Sequence, residues 1–217
     1  FKPDTPPFRL TTLNQRERMF AHAGADAMLV FRFGAELAGT TAEDFVGEIL
    51  AKRFGAAGVV TGEDFTFGKG RGGNAQVLQE LGARQGIGAE AVEAVLLNGE
   101  RISSGRIREA LQAADPGTAT KMLTRPCAIA GEVIHGDKRG RALGWPTANL
   151  ELGNYLRPTY GIYAVRVTLD ANGKDGASEH SGVASLGVRP TFDPAKEFLQ
   201  GGLFHFDCGL FGRTIEE

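Results

Sequence analysis

The hydrophobic pattern changes near residue 124 of this 217-residue chain, and this change limits the possible folds more than any other feature. Before that point, segments with helical periodicity alternate with short continuous apolar runs, which predicts a parallel, doubly wound sheet covered by helices. After it, short stretches of alternating apolar and polar residues are separated by glycine and proline, as is typical of a small barrel or sandwich. We therefore predict two domains, at residues 1–123 and 124–217.

The first half opens on a helix start signal, because Thr12 and Gln15 have the spacing of a capping box. Met19 and Phe20 then belong to the apolar stripe of that helix. The continuous apolar run at 27–31 predicts a strand covered on both faces. The other predicted helices lie at 41–55 and 104–114, with one between them that carries Val77, Leu78 and Leu81. Strands are predicted at 58–62 and 92–97, and a last helical turn ends near 123. Ligands of parallel sheets bind beyond the carboxyl ends of the strands, so we expect a site in the loops that follow them.

The second half contains only short predicted strands. They lie at 127–133, 160–169, 182–188, 203–206 and 212–216. Val165 and Val167 share one face of the second strand while Arg166 lies on the other, which predicts a half-buried antiparallel strand. Asn172-Gly173 follows it and is a strong hairpin signal.

Charge and cysteine content exclude several classes of protein. The chain has 24 basic and 26 acidic side chains, so its charge is close to neutral. A dedicated binder of duplex nucleic acid usually has a basic face, and this class is therefore not indicated. No window approaches about 18 consecutive apolar residues, so no membrane-spanning helix is predicted.

Cys127 and Cys208 lack metal-ligand spacing, and we interpret them as small buried side chains in a reducing cytoplasm. Since the chain begins with Phe1, we expect a fragment or a processed protein.

The densest group of chemically useful residues is the segment 136–149. Its first part holds three glycines and three cations, namely Gly136, Lys138, Arg139, Gly140, Arg141 and Gly144. Glycines let backbone N–H groups close on phosphate oxygens, while the cations neutralise the phosphate charge. The segment therefore indicates a nucleotide-binding loop, with a solvated surface hairpin as the alternative.

The end of this segment favours the nucleotide-binding interpretation. Thr147 and Asn149 are two residues apart and would share one side of a strand. Their hydroxyl and amide oxygens are hard, neutral ligands suited to a Mg²⁺ ion that also holds nucleotide phosphates. Pro146 fixes the backbone just before the pair.

The segment 136–149, with the sequence Gly-Asp-Lys-Arg-Gly-Arg-Ala-Leu-Gly-Trp-Pro-Thr-Ala-Asn, resembles the signature loop of riboflavin kinase. The resemblance continues through Leu156 and Pro158 to 161–164, 187–192, 203–207 and 210–212. The second domain is therefore similar to the kinase module of the bacterial bifunctional riboflavin kinase/FAD synthetase family. It implies a six-stranded Greek-key barrel that transfers the γ-phosphoryl group of ATP to the riboflavin 5′-hydroxyl. It also implies that Thr147 and Asn149 bind magnesium and phosphate, that Asn149 has a catalytic role, and that Arg189 and Thr191 contact the flavin.

The first domain resembles the FMN adenylyltransferase module of the same family, which has a Rossmann-like α/β fold. The loop at 62–68 follows a predicted strand and looks like the flavin-side loop of that module, which implies that Asp64, Phe65 and Phe67 bind flavin. Without the second domain, a glycine-rich turn with two core aromatic residues would be the preferred interpretation.

A second segment of this domain, 102–108, has the features of an anion site at a helix start. It contains Ser103, Ser104, Arg106 and Arg108, whose hydroxyls and cations lie in the first helical turn. In the family this segment is the second nucleotidyltransferase motif, which binds ATP phosphates. The alternative is an ordinary serine N-cap with two exposed arginines.

The chain departs from the family pattern in several places. The Gly-x-Phe-Asp-Gly-x-His-x-Gly-His loop of the family is absent, so we expect the α/β domain to be incomplete and FMN adenylylation by this chain alone to fail. The C-terminal helix that follows the barrel is also expected to be missing. Gly105 replaces a threonine or serine, and Gly209 replaces an acidic residue.

The most consequential departure falls on the catalytic glutamate of the family, which aligns with Gln200. An amide has no useful basicity, so we predict weak kinase activity. Glu197 cannot replace the base, because an odd offset along a strand turns it to the opposite face, unless a bulge at Gly201-Gly202 intervenes.

Three functions follow from these observations. The chain is an enzyme that binds riboflavin, FMN and ATP or ADP with Mg²⁺, or a flavin-binding module without catalysis. Alternatively, its first domain is another kind of nucleotidyltransferase. We expect a cytoplasmic protein with no nucleic-acid or membrane partner, and the sequence leaves its oligomeric state open.

Overall fold

The structure of the chain is a computed structural model that describes residues 6–134, 147–169, 178–189, 196–203 and 214–216. For residues 147, 189, 196 and 198 it describes the backbone alone. The chain forms two compact units, of which unit 1 comprises Phe1–Ala27 and Ser103–Glu217 and unit 2 comprises Met28–Ile102.

The helices and strands are numbered in chain order. The helices are α1 Leu13–His22, α2 Ala35–Gly39, α3 Ala42–Asp44, α4 Ala75–Arg84, α5 Ser104–Gln112 and α6 Pro116–Leu123, with a π-helix at Phe45–Arg53 and a 3-10 helix at Lys69–Arg71. The first six strands are β1 Gly58–Gly62, β2 Thr66–Phe67, β3 Gly73–Asn74, β4 Gly88–Val92, β5 Leu96–Leu97 and β6 Glu100–Arg101. The others are β7 Ala130–Glu132, β8 Thr147–Leu150, β9 Gly161–Leu169, β10 Ser178–Arg189, β11 Lys196–Leu203 and β12 Thr214–Glu216.

Unit 2 is built on the parallel pair β1–β4, which runs in register from Gly58 opposite Gly88 to Gly62 opposite Val92. Helix α4 lies between these strands in sequence, so the three elements form the βαβ unit that the first half predicts. The core of the unit contains Ala42, Val46, Phe67, Leu78 and Ile87. The predicted strand at 58–62 is confirmed, while the second strand begins at 88 rather than 92.

The strand predicted at 27–31 is wrong. These residues form no strand, and Leu29, Val30 and Phe31 are 64%, 59% and 47% exposed. None of the described strands pairs with this segment. A continuous apolar run carries no information about a pairing partner, and a strand without one does not form.

The helix predicted at 41–55 is confirmed, but most of it is π-helical. Thr41 caps it by accepting a hydrogen bond from the Asp44 backbone N–H at 3.1 Å. Gly55 follows its end with a φ of +59°, a conformation that glycine adopts without strain. The spacing of the apolar residues in the sequence did not indicate the wider turn of the π-helix.

Unit 1 contains a six-stranded sheet in the order β7-β12-β9-β10-β11-β8. All its pairs are antiparallel, and a bridge between Ile134 and Asn149 brings the two edge strands together, so the sheet is a nearly closed barrel. Strands β9, β10 and β11 are neighbours both in sequence and in the sheet. Strand β8, which precedes them in sequence, pairs with β11 at the far side of this group, as in a Greek key. The predicted six-stranded barrel is confirmed.

Alternation along the strands places the barrel core. The buried residues are Val133, Ala148, Leu150, Leu152, Val167, Leu169, Ala184, Leu186, Leu199, Leu203 and Ile215. Val167 is fully buried while Arg166 is exposed, as the sequence pattern predicts. Strand β10 extends beyond the predicted 182–188, and β11 ends at Leu203, where the sequence predicted a strand to begin.

Helix α1 belongs to unit 1, and its capping box is confirmed by both bonds between Thr12 and Gln15. The predicted apolar stripe is only partly correct, because Phe20 is 46% exposed and the buried residue of the helix is Gln15. The Gln15 amide donates to Glu216 Oε1 at 2.8 Å and accepts from the Tyr155 hydroxyl at 2.6 Å. Polar contacts therefore attach α1 to the barrel.

Candidate active site

The strongest candidate site lies where β8 and β11 pair. Asn149 stands directly opposite Gln200, and the backbone of Thr147 stands opposite Gly202. Across the next pair of strands Gln200 stands opposite Ser185. Because opposite residues of a sheet share a face, Asn149, Gln200 and Ser185 form one row on the barrel wall.

Burial of their neighbours fixes the face on which this row lies. Leu150 and Leu199 are 1% and 4% exposed and point into the barrel core. Side chains alternate along a strand, so Asn149 and Gln200 must take the opposite side. Asn149 is nevertheless only 7% exposed, which makes it one of two buried polar residues among the described part of the chain.

The side-chain amides of Asn149 and Gln200 determine the chemistry that this row can perform. Gln200 can donate and accept hydrogen bonds but cannot take up a proton at neutral pH. The amide oxygen of Asn149 is a suitable hard ligand for a magnesium ion. The backbone of Thr147 precedes Asn149 by two residues on the same strand, and a shared metal site of the two residues stays a prediction.

Glu197 does not replace the missing carboxylate. The β10–β11 register is continuous from Gly182 opposite Leu203 to Arg189 opposite Lys196, which leaves no bulge at 201–202. Glu197 therefore stays on the face opposite Gln200, as the sequence predicts.

The carboxylate of Glu197 has partners of its own. It accepts a hydrogen bond from the Tyr160 hydroxyl at 2.7 Å and forms an ion pair with Arg157 at 2.7 Å. The Tyr160 hydrogen bond, and next to it Arg157, lower the pKa of Glu197, while the same hydrogen bond raises the pKa of Tyr160. Glu197 is therefore held in structural contacts on the face opposite Gln200 and is not placed to act as the base.

Several predicted site residues lie outside the described part of the chain. They are Gly136, Lys138, Arg139, Gly140, Arg141, Gly144, Pro146 and Thr191. Arg189 is described by its backbone alone, at the end of β10. Among the described residues, no three His, Cys, Asp or Glu side chains gather as a metal site.

The predicted anion site at the start of α5 has hydrogen bonds within unit 1. Ser103 caps the helix by accepting from the Arg106 backbone N–H at 3.3 Å, and Ser104 accepts from Arg108 at 3.2 Å. The Arg108 guanidinium also donates to the Phe8 carbonyl at 2.8 Å and lies 5.4 Å from the centre of the Phe8 ring. Ser103 thus acts as an ordinary serine N-cap, which was the alternative to an anion site. The binding of phosphate at this helix stays a prediction.

The predicted flavin-side loop follows β1, with Asp64 exposed at its tip. Phe65 and Phe67 stack with ring centres 5.4 Å apart, and Phe67 is 7% exposed within the core of unit 2. The two rings therefore pack in the hydrophobic core of unit 2, which agrees with the alternative interpretation of a turn with two core aromatic residues. A flavin contact by this loop stays a prediction.

Sequence reasoning missed Arg101, which pairs with Asp64 Oδ1 at 2.9 Å. A hairpin of β5 and β6 presents Arg101 to the loop. Asn98 and Gly99 both have positive φ between these strands, and Asn-Gly is the strongest short hairpin signal in a sequence. The Asn98-Gly99 dipeptide could therefore have predicted this hairpin, and with it the position of Arg101, from the sequence.

Unit 1 also contains a cavity of about 990 Å³, lined by apolar residues such as Leu111, Pro126, Ile129 and Val165. None of the predicted site residues lines it. No described helix is long and apolar enough to span a membrane.

Two family models match the chain and together cover most of it. The model for FAD synthetase matches residues 1–106, and the model for riboflavin kinase matches residues 123–216. The second match contains β7 to β12, the strands that form the barrel and the Asn149–Gln200 pair.

Two bacterial proteins are similar over nearly all of the chain. Bifunctional riboflavin kinase/FMN adenylyltransferase of Escherichia coli K12 is 36% identical over 216 residues, which are 100% of this chain and 67% of that protein. The protein of the same name from Pseudomonas fluorescens is 38% identical, over 99% of this chain and 67% of its own length.

A solved structure has the same fold. The crystal structure named as a macrolide-efflux protein from Streptococcus pneumoniae matches with a TM-score of 0.83 and 29% identity, over 100% of this chain and 68% of that one. Since two family models cover most of the chain and a relative of 36% identity is similar over its whole length, this chain belongs to the bifunctional riboflavin kinase/FMN adenylyltransferase family.

Proposed function

We propose that the barrel phosphorylates riboflavin to FMN with ATP, and that the α/β part contributes to adenylylation of FMN to FAD. The observation that carries the kinase proposal is the in-register pairing of Asn149 with Gln200, within the region that matches riboflavin kinase. This pairing brings a potential metal and phosphate ligand next to the residue that would meet the riboflavin hydroxyl. The family membership supports both reactions.

Magnesium fits the chemistry of Thr147 and Asn149 on β8. Thr147 and Asn149 would hold the ion, because their neutral oxygens leave room in its coordination sphere for nucleotide phosphates and water. The bound ion would neutralise charge on the transferring phosphoryl group. In this proposal, the glycine-rich segment 136–146 binds the nucleotide, and Arg189 and Thr191 bind the flavin.

Gln200 limits the rate of the proposed reaction. Phosphoryl transfer depends mostly on positioning and on charge stabilisation, which do not require a base. General-base assistance contributes about 10²- to 10⁴-fold in other enzymes. We therefore expect slow turnover, with Gln200 orienting the hydroxyl by a hydrogen bond.

The α/β part carries the second half of the proposal. Asp64, Phe65 and Phe67 are proposed to contact flavin, and Ser103, Ser104, Arg106 and Arg108 to bind ATP phosphates. The boundary between the two activities is proposed at residues 123–124. We also propose that the protein acts in the cytoplasm, because its reactions consume ATP, and that it has no nucleic-acid or membrane partner.

A flavin-binding module without catalysis is the second candidate. The amide at Gln200 favours it, because the residue best placed to take the hydroxyl proton cannot do so. The two candidates make different predictions for turnover and the same prediction for binding.

Titration calorimetry with riboflavin and Mg-ADP, combined with an FMN-formation assay, tests the proposal. Binding with slow turnover supports the kinase, and binding without turnover selects the module. Gln200→Glu should raise kcat by about 10-fold or more. Gln76→Glu, the same change on an exposed helix residue, is the matched control and should leave kcat unchanged. Failure of both compounds to bind would contradict either function.

A further inference from the structure

Three side chains of unit 1 form a polar clamp on the barrel, which we call the Arg157 clamp. It consists of Arg157, Tyr160 and Glu197. Arg157 Nε donates to Glu197 Oε2 at 2.7 Å, and the Tyr160 hydroxyl donates to Glu197 Oε1 at 2.7 Å. Both carboxylate oxygens of Glu197 are therefore engaged, each by a different residue.

The guanidinium of Arg157 also organises its own segment. Its Nη1 donates to the carbonyl of Gly153 at 2.9 Å and to that of Tyr155 at 2.5 Å. The connection between β8 and β9, residues 151–160, thus folds around one cation. Because that cation also binds Glu197, the connection is fixed to the beginning of β11.

The position of the clamp relates it to the candidate site. Strands β8 and β11 pair over only four residues of each strand, ending with Leu150 opposite Leu199. Beyond this pair the chain leaves β8, and Glu197 precedes Leu199 on β11 by two residues. The clamp therefore continues the link between the two strands where the backbone ladder stops.

We propose that the Arg157 clamp sets the position of β11 against β8 and thereby holds Gln200 beside Asn149. This inference rests on the proposed kinase function of that pair. Arg157 and Glu197 are positioning residues, because they act through the strand and do not face the row. A short ladder is easily displaced, and a displacement of about 1 Å at a reacting group can cost up to 10²-fold in rate.

The chemistry of the clamp suits a positioning role. Hydrogen bonds in which the donor or the acceptor is ionised are about twice as strong as neutral ones, and here two such bonds converge on the Glu197 carboxylate. The Arg157 and Glu197 side chains are 23% and 34% exposed, so water screens them only in part. An isolated surface ion pair contributes little, whereas a network of several bonds with fixed geometry contributes more.

Steady-state kinetics of E197Q and R157Q test the proposal. We expect kcat for FMN formation to fall about 5- to 50-fold, while KM for Mg-ATP stays within about twofold, because Arg157 and Glu197 are not among the residues proposed to bind the nucleotide. The double variant should lose little more than either single variant, since both remove the same link. Equal losses of E197Q in kcat and in ATP affinity, or additive losses in the double variant, would overturn the inference.

The control is E179Q, which removes the same charge from the exposed Arg166–Glu179 pair at 3.2 Å between β9 and β10. Its kcat should equal that of the wild type. If R157Q or E197Q does not fold, Y160F removes one hydroxyl and should lower kcat by about 2- to 5-fold.

A readout without turnover separates this inference from the proposed function. Amide hydrogen exchange of Leu199 and Gln200 should be faster in E197Q than in the wild type and unchanged in E179Q. If the wild type neither binds riboflavin nor forms FMN, the kinase function fails and the exchange result still decides whether the clamp orders β11. Unchanged exchange together with unchanged kcat in E197Q would exclude the clamp.

Discussion

Gln200 and Glu197 lie three residues apart on β11 and have different chemical environments. Gln200 shares a row with Asn149 and Ser185, whereas Glu197 stands opposite Val188 on the other face. The alternation of a strand alone is enough to exclude Glu197 as a base, and this was predictable from the sequence. The two partners of Glu197 were not predictable, because they come from a connection 37 and 40 residues away.

Acid should weaken the barrel through Glu197. The folded protein holds the pKa of Glu197 below its ordinary value, so the carboxylate stabilises the fold above about pH 4.3. This stabilisation is lost as the pH falls through the lower folded pKa. Urea unfolding should therefore show wild type more stable than E197Q at pH 7, with the difference shrinking as the pH falls below about 4.3. A difference that stays constant over this range would contradict the assignment.

Gln15 should be the most sensitive polar residue of α1. Its amide contacts the Ala128 carbonyl, Glu216 and Tyr155, and the residue is 4% exposed. Gln15→Ala should lower the free energy of unfolding by about 1–3 kcal/mol, because buried partners lose their hydrogen bonds.

The matched control for Gln15 is Gln76→Ala on α4, where an exposed glutamine bonds Glu80 one turn away. It should cost no more than about 0.5 kcal/mol in chemical denaturation. A loss at Gln15 as small as that at Gln76 would show that the contacts with the barrel are not maintained in solution.

At the scale of elements, local signals predicted where helices begin better than where strands pair. Thr12, Thr41 and Ser103 all accept the capping bond expected of them, because a cap involves residues only three apart. The strand predicted at 27–31 failed, because a strand needs a partner that its own residues do not specify. The π-helical register of Phe45–Arg53 is likewise absent from the pattern.

The contact between β10 and β11 is close enough to require glycine at 182. A Cβ on Gly182 would lie 2.5 Å from the Gly202 carbonyl oxygen. Gly182→Ala should therefore destabilise the barrel by about 1–3 kcal/mol, as overpacking does. Gly161→Ala should be nearly neutral by thermal unfolding, since its nearest atom would lie at 4.0 Å. Equal stability of the two variants would contradict this packing.

At the scale of the whole molecule, the described residues form two hydrophobic clusters, one in each unit. The sequence predicted an α/β part and a barrel, and both are present. It did not predict that α1 belongs with the barrel, because the contacts of Gln15 join residues up to 201 positions apart.

Leu78 offers a test of this division. The side chain is 1% exposed and packs in the core of unit 2, so Leu78→Ala should cost that unit about 2–5 kcal/mol. Hydrogen exchange should show lost protection in β1 and β4, with β9 and β10 unchanged. Leu96→Ala, at a residue 58% exposed in the same unit, should stay within about 0.5 kcal/mol. Loss of protection in both units would show that they unfold together.

The sequence alone determined the class of each half, the helix caps, the buried face of β9 and the amide at position 200. All of these depend on residues close together along the chain or on a period of two or 3.6 residues. Only the tertiary structure decided that Asn149 meets Gln200, that Glu197 is held by Arg157 and Tyr160, and that Asp64 is paired with Arg101. The physical reason is that these contacts are made by strand pairing and by long side chains across loops, and neither leaves a periodic pattern in the sequence.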